Sequence, residues 1–418
     1  MARMRAAWVG RKAGRGGIGL ALAGGGPLGA IFEIGALCAL EEAVIGLDLN
    51  ALDGYVGVSA GSFVAAGLAN GMTPRQLCEG FIGNAGPPGD RVDPSLFFRP
   101  AWGEVAQRLA ALPAHLARAG AGYLLHGRSL LSSMELLGAA LPTGLFTQAP
   151  LQAKLQRMFT APGRSNDFRQ LRQRLVIVAT DLDSGEAVPF GLPGWDHVPV
   201  SQAVAASSAL PGLFPPLAID GHWYVDGALK KTLHARVLLD MGLDLLLCVN
   251  PLVPFMAGAA GAANRPIPQL VRGGLPMVLS QTFRSFIHSR LELGLQGYAH
   301  SHPGTDILLF EPDHRDLELF LANTFDYSQR RRLAEHAYLH TREHLLEQQD
   351  RLGPILASHG LALDLAMLTD PGRRLLPRAR RGLRGPSRQP AYRTRTGAAL
   401  QRLDAVLDQL ERTLASAA

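Results

Sequence analysis

A single serine between two glycines is the first group in this chain that could act as a nucleophile. The stretch VGVSAGSF, residues 56–63, contains the motif G-x-S-x-G, formed by Gly57, Ser59 and Gly61. An apolar run precedes the motif and a run of small residues follows it, which predicts a strand, a tight turn and a helix. Such a turn needs glycines where the two backbones nearly touch, and it lifts the serine hydroxyl above the sheet. We therefore predict that Ser59 is a nucleophile; a glycine-rich structural turn is the alternative.

A second glycine-rich loop could supply amide donors for the same reaction. The stretch GGGPLG, residues 24–29, follows the apolar run IGLAL and leads into another helix. Free amides at a helix start can bind an oxyanion or a phosphate, and the loop also fits the dinucleotide pattern G-x-G-x-x-G, with Asp48 about twenty residues on. Dinucleotide binding does not need a second, serine-bearing turn, so the pair of loops favours acyl chemistry. The predicted oxyanion loop consists of Gly24, Gly25, Gly26 and Gly29.

An acidic residue on a tight turn is the candidate base that would activate the serine. The stretch HWYVDGALKK, residues 222–231, places Asp226 directly before Gly227, after an apolar stretch. A carboxylate at that position could lie near Ser59 and accept its proton. The chain also has 13 histidines, so a Ser-His-Asp triad stays open, although the nearest histidine, His222, belongs to no motif.

Two other groups of residues could bind a metal, and for both we favour a structural interpretation. Asp181 and Asp183 follow a predicted strand in the sequence DLDSGE, where carboxylates usually accept backbone N–H groups of a turn. His336, His340 and His344 recur every four residues, and HTREH matches the H-x-x-E-H pattern of one metalloprotease class. Charged residues surround these histidines, as on a solvated helix face, and no further ligand segment is evident. We therefore predict no metal site and no cofactor.

The elements that must position these residues follow from the pattern of apolar runs. Of the 418 residues, 47% are apolar and only 18% are charged, which is enough to bury a large core. Further buried strands are predicted within residues 171–182, 244–251 and 305–313. Strands that alternate with helices imply an α/β fold with a mostly parallel sheet.

Cysteine content and the N-terminal sequence indicate the compartment. Cys38, Cys78 and Cys248 are an odd number of widely spaced thiols, as expected of reduced cysteines in a cytosolic protein. Residues 1–16 form a basic extension that lacks the apolar region of a signal peptide. No stretch reaches the roughly 18 apolar residues that a membrane span requires. We therefore expect a cytoplasmic protein.

Outside the predicted sheet the chain contains segments with weaker patterns. Residues 84–150 are rich in Pro, Gly, Arg and Leu and are predicted to be an insertion over the sheet edge, either a lid or an ordinary helical excursion. Residues 316–370 are predicted to be a helical extension, and residues 398–418 an amphipathic helix. Between them, residues 371–397 contain nine arginines and are predicted to be a flexible basic linker. We expect residues 371–418, the basic C-terminal tail, to contact the inner membrane surface, with a solubilising role as the alternative.

Taken together, these motifs resemble the patatin-like phospholipase family, in its bacterial type. The segments GGGPLGA, GVSAGS and DGA stand in that family's order of oxyanion loop, nucleophile turn and catalytic aspartate, and VAASSALPGLFPP and ATDLDSGE are similar to its connecting segments. The resemblance covers about residues 17–315. It implies a three-layer α/β/α fold and a Ser59–Asp226 dyad without histidine, in which the aspartate is the general base. The glycines that would support the motifs are Gly57, Gly61 and Gly227.

One position departs from the family pattern, because Leu28 stands where the family usually has Arg or Lys. Backbone amides can still bind an oxyanion there, but a cationic contact to the substrate is missing. The resemblance implies hydrolysis of carboxyl esters of lipids, as by a phospholipase A or a lysophospholipase. An acyltransferase with the same dyad and a nucleotide-binding module built on the glycine-rich loop are the alternatives. Nucleic acid is not an expected partner, and the sequence is compatible with a homo-oligomer.

Overall fold

The computed structural model describes every segment that carries a predicted site residue. The described residues are 17–103, 106–108, 110, 111, 113, 142–256, 270–321 and 329–376. The predicted extension 1–16, most of the predicted linker and the predicted helix 398–418 lie outside them. The predicted insertion 84–150 also falls in large part outside the described residues.

A mixed sheet of eight strands positions the site. The strands of the described chain are β1 (Ile18–Leu22), β2 (Val44–Ile45), β3 (Gly54–Val58), β4 (Arg174–Asp181), β5 (Ala187–Phe190), β6 (Leu217–Ile219), β7 (His222–Asp226), β8 (Leu245–Val249), β9 (Asp306–Phe310) and β10 (Ala362–Leu363). The order across the sheet is β6-β7-β4-β3-β1-β8-β9, with β5 also paired to β4, whereas β10 pairs with β2 separately. The five strands from β4 to β9 in this order are parallel, while β5 and β7 run antiparallel to β4. The prediction of a mostly parallel sheet is therefore confirmed.

Helices cover both faces of this sheet. The α-helices of the described chain are α1 (Gly26–Ala43), α2 (Ala60–Ala69), α3 (Pro74–Leu77), α4 (Ala149–Phe159), α5 (Val200–Ser207), α6 (Arg236–Leu239), α7 (Gly274–Ser301), α8 (Leu317–Leu321), α9 (Arg330–Glu347), α10 (Gln349–Ser358) and α11 (Leu365–Thr369). Successive residues of a strand face opposite sides, so β1 buries Leu20 and Leu22 with α1 and α2, but Ala21 with α6 and α7. This arrangement is the three-layer α/β/α fold that the resemblance implies.

The apolar character of the central strands explains their position. β3 and β8 are buried along their whole length, as expected of parallel strands covered by helices on both faces. Cys38, Cys78 and Cys248 are buried free thiols. Within the described part of the chain, no helix combines the length and the apolar content that crossing a bilayer would require.

The helices towards the C-terminus pack into the same core. A Cβ at Gly35 of α1 would lie 2.5 Å from the Ala334 carbonyl oxygen of α9, so glycine is needed for this close helix contact. Tyr338 of α9 is fully buried, and its hydroxyl donates to Glu42 at 2.7 Å. The predicted helical extension 316–370 therefore contributes directly to the core around α1.

Candidate active site

The predicted nucleophile lies on a strained turn between β3 and α2. Ser59 is the N-cap of α2, with φ of 52° and ψ of −122°, which non-glycine residues rarely adopt. Holding a residue in such a conformation costs about 1–3 kcal/mol, which the surrounding structure must offset. Ser59 is 6% exposed, so its hydroxyl is largely shielded from bulk water. The N-terminus of α2 adds a partial positive charge beside it, which favours a developing anion.

Three glycines allow backbone segments around the site to approach one another closely. A Cβ at Gly57 would lie 2.6 Å from the Gly61 carbonyl oxygen, and a Cβ at Gly61 would lie 2.6 Å from the Ala23 carbonyl oxygen. The Gly61 amide donates to that Ala23 oxygen at 3.2 Å, which ties the start of α2 to the end of β1. A Cβ at Gly227 would overlap the Val178 carbonyl oxygen. All three positions therefore require glycine for backbone contact.

The candidate base lies within hydrogen-bond distance of the serine. β4 lies between β3 and β7, and its Ala179 pairs with Asp226 at the end of β7. The preceding residue of β4 pairs with Val58, directly before Ser59. This register brings the two side chains together across β4, and the Ser59 hydroxyl donates to Asp226 Oδ2 at 2.6 Å.

Burial makes this aspartate a stronger base than an exposed carboxylate. Asp226 is 2% exposed, and desolvation raises its pKa to about 6, although hydrogen bonds from Ser59 and from the Ala228 amide favour the charged form. The Ala228 amide donates to Oδ1 at 2.9 Å, which leaves Oδ2 for the serine. A carboxylate with a pKa close to neutral pH suits the role of a general base.

A second buried serine fixes the backbone of the nucleophile turn. Ser207, at the end of α5, accepts a hydrogen bond from the Ser59 amide at 2.8 Å and donates to the Val178 carbonyl oxygen at 2.6 Å. Without it the Ser59 amide would lose its partner in a buried position, which is costly. Sequence reasoning did not identify Ser207; its signal is the polar pair Ser207–Ser208 at the end of an apolar helical run.

The glycine-rich loop after β1 lies beside the serine. A Cβ at Gly24 would lie 3.1 Å from the Ser59 Cβ, so this loop and the nucleophile turn are in contact. Gly25 is the N-cap of α1 and Gly26 its first residue, with φ of 60°, so their amides have no carbonyl partner within the helix. These amides have the position and the freedom to bind an oxyanion that forms at Ser59.

Gly29 does not fit the role that the sequence suggests for it. Its amide donates to the Gly25 carbonyl oxygen at 3.0 Å as part of α1, so the helix already uses this donor. A Cβ at Gly29 would lie 3.1 Å from Pro251 Cγ, so this glycine serves close packing. Ala60, the first residue of α2, offers an amide that sequence reasoning missed. Its signal is its place directly after the nucleophile, where serine hydrolases commonly use the backbone N–H.

Histidine takes no part in this arrangement among the residues that the structure describes. There, neither the serine nor the aspartate of the pair bonds to an imidazole. His222 Nδ1 lies 3.1 Å from Asp181 Oδ2. His234 Nε2 lies 3.4 Å from the Gly227 carbonyl oxygen, and burial lowers the pKa of His234 to about 4. The geometry thus provides a serine–aspartate pair and not a triad in this part of the chain.

The acidic residues of the alternative interpretations lie elsewhere or are already paired. Asp48 follows the 18-residue α1, about 27 Å long at 1.5 Å per residue, so it lies beyond the end of α1 that is far from the glycine loop. It therefore cannot contact a nucleotide bound at that loop. Asp181 Oδ1 accepts from the amides of Asp183 and Ser184 at 2.9 and 3.1 Å, which is the predicted turn structure.

The histidines at four-residue spacing lie on α9, on the helix that packs against α1. His336 Nε2 lies 2.6 Å from Asp316 Oδ2, and this carboxylate raises the pKa of His336. Burial lowers the pKa of the other two, His340 and His344. Within the described residues, the side chains with metal-ligand spacing form a different group, namely His288, Glu311 and His314.

The chain matches one protein family and several solved structures. Residues 20–239 match the family described as Patatin-like phospholipase. Among solved structures, VipD from Legionella pneumophila matches at 17% identity and a TM-score of 0.31, over 80% of this chain and 71% of that chain. The type III effector protein ExoU matches at 18% identity and a TM-score of 0.32, over 80% of this chain and 54% of that chain. Because the family match runs from β1 to the end of α6 and covers more than half of the 418 residues, the chain belongs to the patatin-like phospholipase family.

Proposed function

We propose that this chain hydrolyses carboxyl esters of lipids, with Ser59 as the nucleophile and Asp226 as the general base. Membership of the patatin-like phospholipase family supports a lipid acyl hydrolase. The observation that carries the residue assignment is the 2.6 Å hydrogen bond from the Ser59 hydroxyl to the buried Asp226 carboxylate. A nucleophile that is already bonded to its base is the arrangement that acyl-enzyme chemistry needs.

The first step forms an ester between the substrate acyl group and Ser59. The hydroxyl oxygen attacks the ester carbonyl while its proton passes to Asp226, which is ionised above its pKa of about 6. The carbonyl oxygen becomes an oxyanion, and the amides of Gly25, Gly26 and Ala60 are the donors that face it in this proposal. The tetrahedral intermediate then expels the alcohol, which takes the proton from Asp226.

The second step releases the acyl group as a carboxylic acid. Water attacks the acyl-Ser59 carbonyl and gives its proton to Asp226, and the same amides bind the second oxyanion. Collapse of this intermediate breaks the bond to Ser59, whose oxygen recovers the proton. If an alcohol takes the place of water, the same sequence transfers the acyl group, so the products separate hydrolysis from transfer.

The loop that binds the carbonyl oxygen carries no side-chain charge. Leu28, which stands in place of the Arg or Lys usual in the family, is 8% exposed and packs in the core. Stabilisation of the oxyanion therefore depends on backbone amides and on the N-termini of α1 and α2. We propose that this loop recognises the ester carbonyl and not a phosphate, so neutral esters and phospholipids are both candidate substrates.

An apolar face of α7 suits work at a lipid surface. Arg290 of α7 donates to the carbonyl oxygens of Leu229 and Lys230 at 3.3 and 3.2 Å, so the helix lies beside the turn that follows Asp226. Side chains at three-, four- and seven-residue spacing share one side of a helix. At this spacing, one side of α7 carries exposed apolar residues, namely Leu275, Val278, Leu279, Phe283, Phe286 and Leu293.

The charges beside this face favour an anionic bilayer as its partner. Lys230, Lys231 and Arg290 are exposed, and the Arg290 guanidinium lies 4.6 Å from the centre of the Phe286 ring. We propose that α7 inserts its apolar side chains at the membrane surface while these cations contact anionic head groups. The predicted basic tail, most of which lies outside the described residues, would add attraction to the same surface. A lipid hydrolase gains from such contact because its substrate is confined to the bilayer.

Turnover of a lipid panel tests the catalytic part of this proposal. The panel contains phospholipids, lysophospholipids and neutral carboxyl esters, and released fatty acids are measured by mass spectrometry with and without an added alcohol. Ser59→Ala should reduce turnover to background in a folded protein, because only one hydroxyl is removed from a preformed turn. Ser358→Ala, which removes an exposed hydroxyl at the end of α10, is the matched control and should retain full activity. Retained turnover in Ser59→Ala contradicts the proposal.

A further inference from the structure

Two histidines and a glutamate meet outside the proposed active site. His288 lies on α7, and Glu311 and His314 follow β9. One nitrogen of each imidazole and one oxygen of the Glu311 carboxylate lie within 4.8 Å of one another. The two imidazole rings are 4.8 Å apart between centroids and inclined at 74°. The proposed ester hydrolysis uses none of these three residues.

The surroundings of the two histidines leave one ring nitrogen of each available as a ligand. His314 Nδ1 lies 3.1 Å from the Pro254 carbonyl oxygen, so it carries the proton and the lone pair is on Nε2. His288 Nε2 lies 3.3 Å from Glu292 Oε1. His288 is only 7% exposed. Its Nδ1 is buried and has no hydrogen-bond partner among the described residues. A buried nitrogen without a partner is costly, which points to a ligand at this position.

The Glu311 carboxylate also has one oxygen held by a neighbouring side chain. The Asn250 side-chain amide donates to Glu311 Oε2 at 3.2 Å, and Glu311 Oε1 lies 4.0 Å from His314 Nε2. Asn250 is itself fixed, because its Oδ1 accepts from the Leu252 amide at 3.2 Å. Ligands of protein-bound metals commonly have their remaining polar atoms held by carbonyl, carboxylate or amide groups. Here the Pro254 carbonyl holds His314, the Glu292 carboxylate holds His288, and the Asn250 amide holds Glu311.

These atoms form the donor set of a divalent transition metal. Two imidazole lone pairs and a carboxylate oxygen repel one another unless a cation lies between them. We propose that His288 Nδ1, Glu311 Oε1 and His314 Nε2 bind Zn²⁺ or a similar ion, with a water in the fourth position. Ligand atoms around tetrahedral zinc lie about 3.3 Å apart, given Zn–N distances of about 2.0–2.1 Å. Binding would require side-chain rotations that shorten the 4.0 Å between Glu311 Oε1 and His314 Nε2, and the other separations of up to 4.8 Å, to that spacing.

The position of this cluster indicates that the metal stabilises the fold beside the active site. The ion would join α7 to the segment that follows β9, and Asn250, directly after β8, donates to the Glu311 ligand. Pro251, next to Asn250 in the segment after β8, packs on the oxyanion loop: a Cβ at Gly25 would lie 2.7 Å from Pro251 Cγ. The inference is independent of the proposed function, because it assigns the ion no step in ester hydrolysis.

Metal binding to the full-length chain tests this inference. After treatment with a chelator, Zn²⁺ is titrated by calorimetry, the midpoint of thermal unfolding is measured with and without Zn²⁺, and Co²⁺ is added as a spectroscopic probe. We expect one Zn²⁺ per chain, a higher midpoint of unfolding, and visible Co²⁺ absorption typical of a four-coordinate site.

Variants distinguish this site from other histidines. Glu311→Gln and His314→Asn keep polar side chains and should each lose the Zn²⁺-dependent stabilisation and the Co²⁺ absorption. His314→Cys replaces one ligand by another and should regain Co²⁺ absorption with an added thiolate band, which separates loss of a ligand from loss of the fold. His300→Asn, an exposed position on the same helix, is the control and should bind like the parent chain. The inference is overturned if the parent chain is not stabilised, or if Glu311→Gln and His314→Asn bind Zn²⁺ equally well.

Discussion

At residue scale, the proposed chemistry depends on Asp226, a carboxylate whose buried environment disfavours its charged form. Desolvation raises the pKa of Asp226 to about 6, while the hydrogen bonds from Ser59 and Ala228 partly offset the loss of water. Only the ionised form can accept the proton of the serine hydroxyl. The raised pKa therefore makes Asp226 a better base while leaving it mostly ionised at neutral pH.

The pH dependence of turnover follows from this pKa. Because Asp226 is protonated below about pH 6 and ionised above it, kcat/KM for ester hydrolysis should rise with pH through about 6 and then level off. Asp226→Asn should lower kcat by several orders of magnitude and remove this inflection, since an amide cannot accept the proton. The measurement is a pH–rate profile for the parent chain and the variant.

A control variant separates Asp226 from the nearest buried histidine, whose pKa of about 4 lies below the expected inflection. His234→Asn alters the imidazole near the same turn and should keep the inflection at about pH 6. A profile that is flat across this range in the parent chain would argue against Asp226 as the base. The same holds for an inflection that persists in Asp226→Asn and disappears in His234→Asn.

Stability should respond to Asp226 with the opposite pH trend. Its pKa in the folded chain exceeds the ordinary value near 4, so the neutral form is the one that the fold favours. This contribution is fully present below about pH 4 and is lost as the pH rises through about 6. The proposed catalytic base thus reduces stability at neutral pH, as functional groups often do.

Residue types and spacing locate the main parts of the site but not their supports. Ser59 and Asp226 could be proposed from the sequence because each stands in a short motif whose glycines allow close backbone contact, and the structure brings the two side chains together. Ser207 could not, because its role depends on a contact between residues 148 positions apart. The hydrogen bond of the Gly29 amide within α1 could not be predicted either, since a glycine pattern does not tell which amides a helix will use for its own bonds.

At the scale of elements, the geometry depends on α2 starting in contact with the end of β1. Helix propensity favours alanine over glycine by about 1 kcal/mol, so propensity alone would predict that Gly61→Ala stabilises α2. A Cβ at Gly61, however, would lie 2.6 Å from the Ala23 carbonyl oxygen. We expect the clash to dominate, with a loss of about 1–3 kcal/mol in the free energy of unfolding.

Denaturant unfolding of two matched variants measures this effect. Gly297 lies inside α7, and a Cβ there would have no heavy atom within 4 Å, so Gly297→Ala is the control. Gly297→Ala should stabilise the chain by up to about 1 kcal/mol, whereas Gly61→Ala should destabilise it. If both variants are stabilised alike, Gly61 of α2 does not lie as close to the Ala23 carbonyl oxygen as the structure shows.

The sequence predicts individual elements more readily than their arrangement. Apolar runs locate β1, β3, β4 and β8, because parallel central strands are buried on both faces, and a further apolar run locates the edge strand β9. The order β6-β7-β4-β3-β1-β8-β9 has no comparable local signal, since it depends on pairing between distant segments. The same reason applies to the close contact of α9 with Gly35 of α1, which joins distant parts of the chain.

On the scale of the whole molecule, the proposed contact with a lipid surface rests on positive charge and on the apolar face of α7. The chain carries a formal net charge of +6, and nine of its arginines lie within residues 371–397. Cations near an anionic bilayer contribute about 1 kcal/mol each, and salt screens this attraction. The apolar contribution of α7 should instead be insensitive to salt.

Sedimentation with vesicles separates the two contributions. The full chain should bind vesicles that contain anionic lipid, and removal of residues 377–418 should weaken mainly the salt-sensitive part. The truncation begins after Leu375, because that side chain is fully buried in the core. The double variant Phe283→Ser with Phe286→Ser should weaken the part that persists at high salt. If both changes leave binding unaltered, neither segment is the membrane contact.

The most direct test of the central claim is to identify the residue that becomes covalently modified when the folded chain reacts with a fluorophosphonate. Peptide mapping by mass spectrometry should find the adduct on Ser59, with its formation parallel to the loss of ester hydrolysis, and none on the neighbouring Ser62. Asp226→Asn should slow labelling strongly, because the hydroxyl then lacks its base. An adduct on a different serine that abolishes hydrolysis, or full hydrolysis by a chain whose Ser59 is completely modified, would contradict the account.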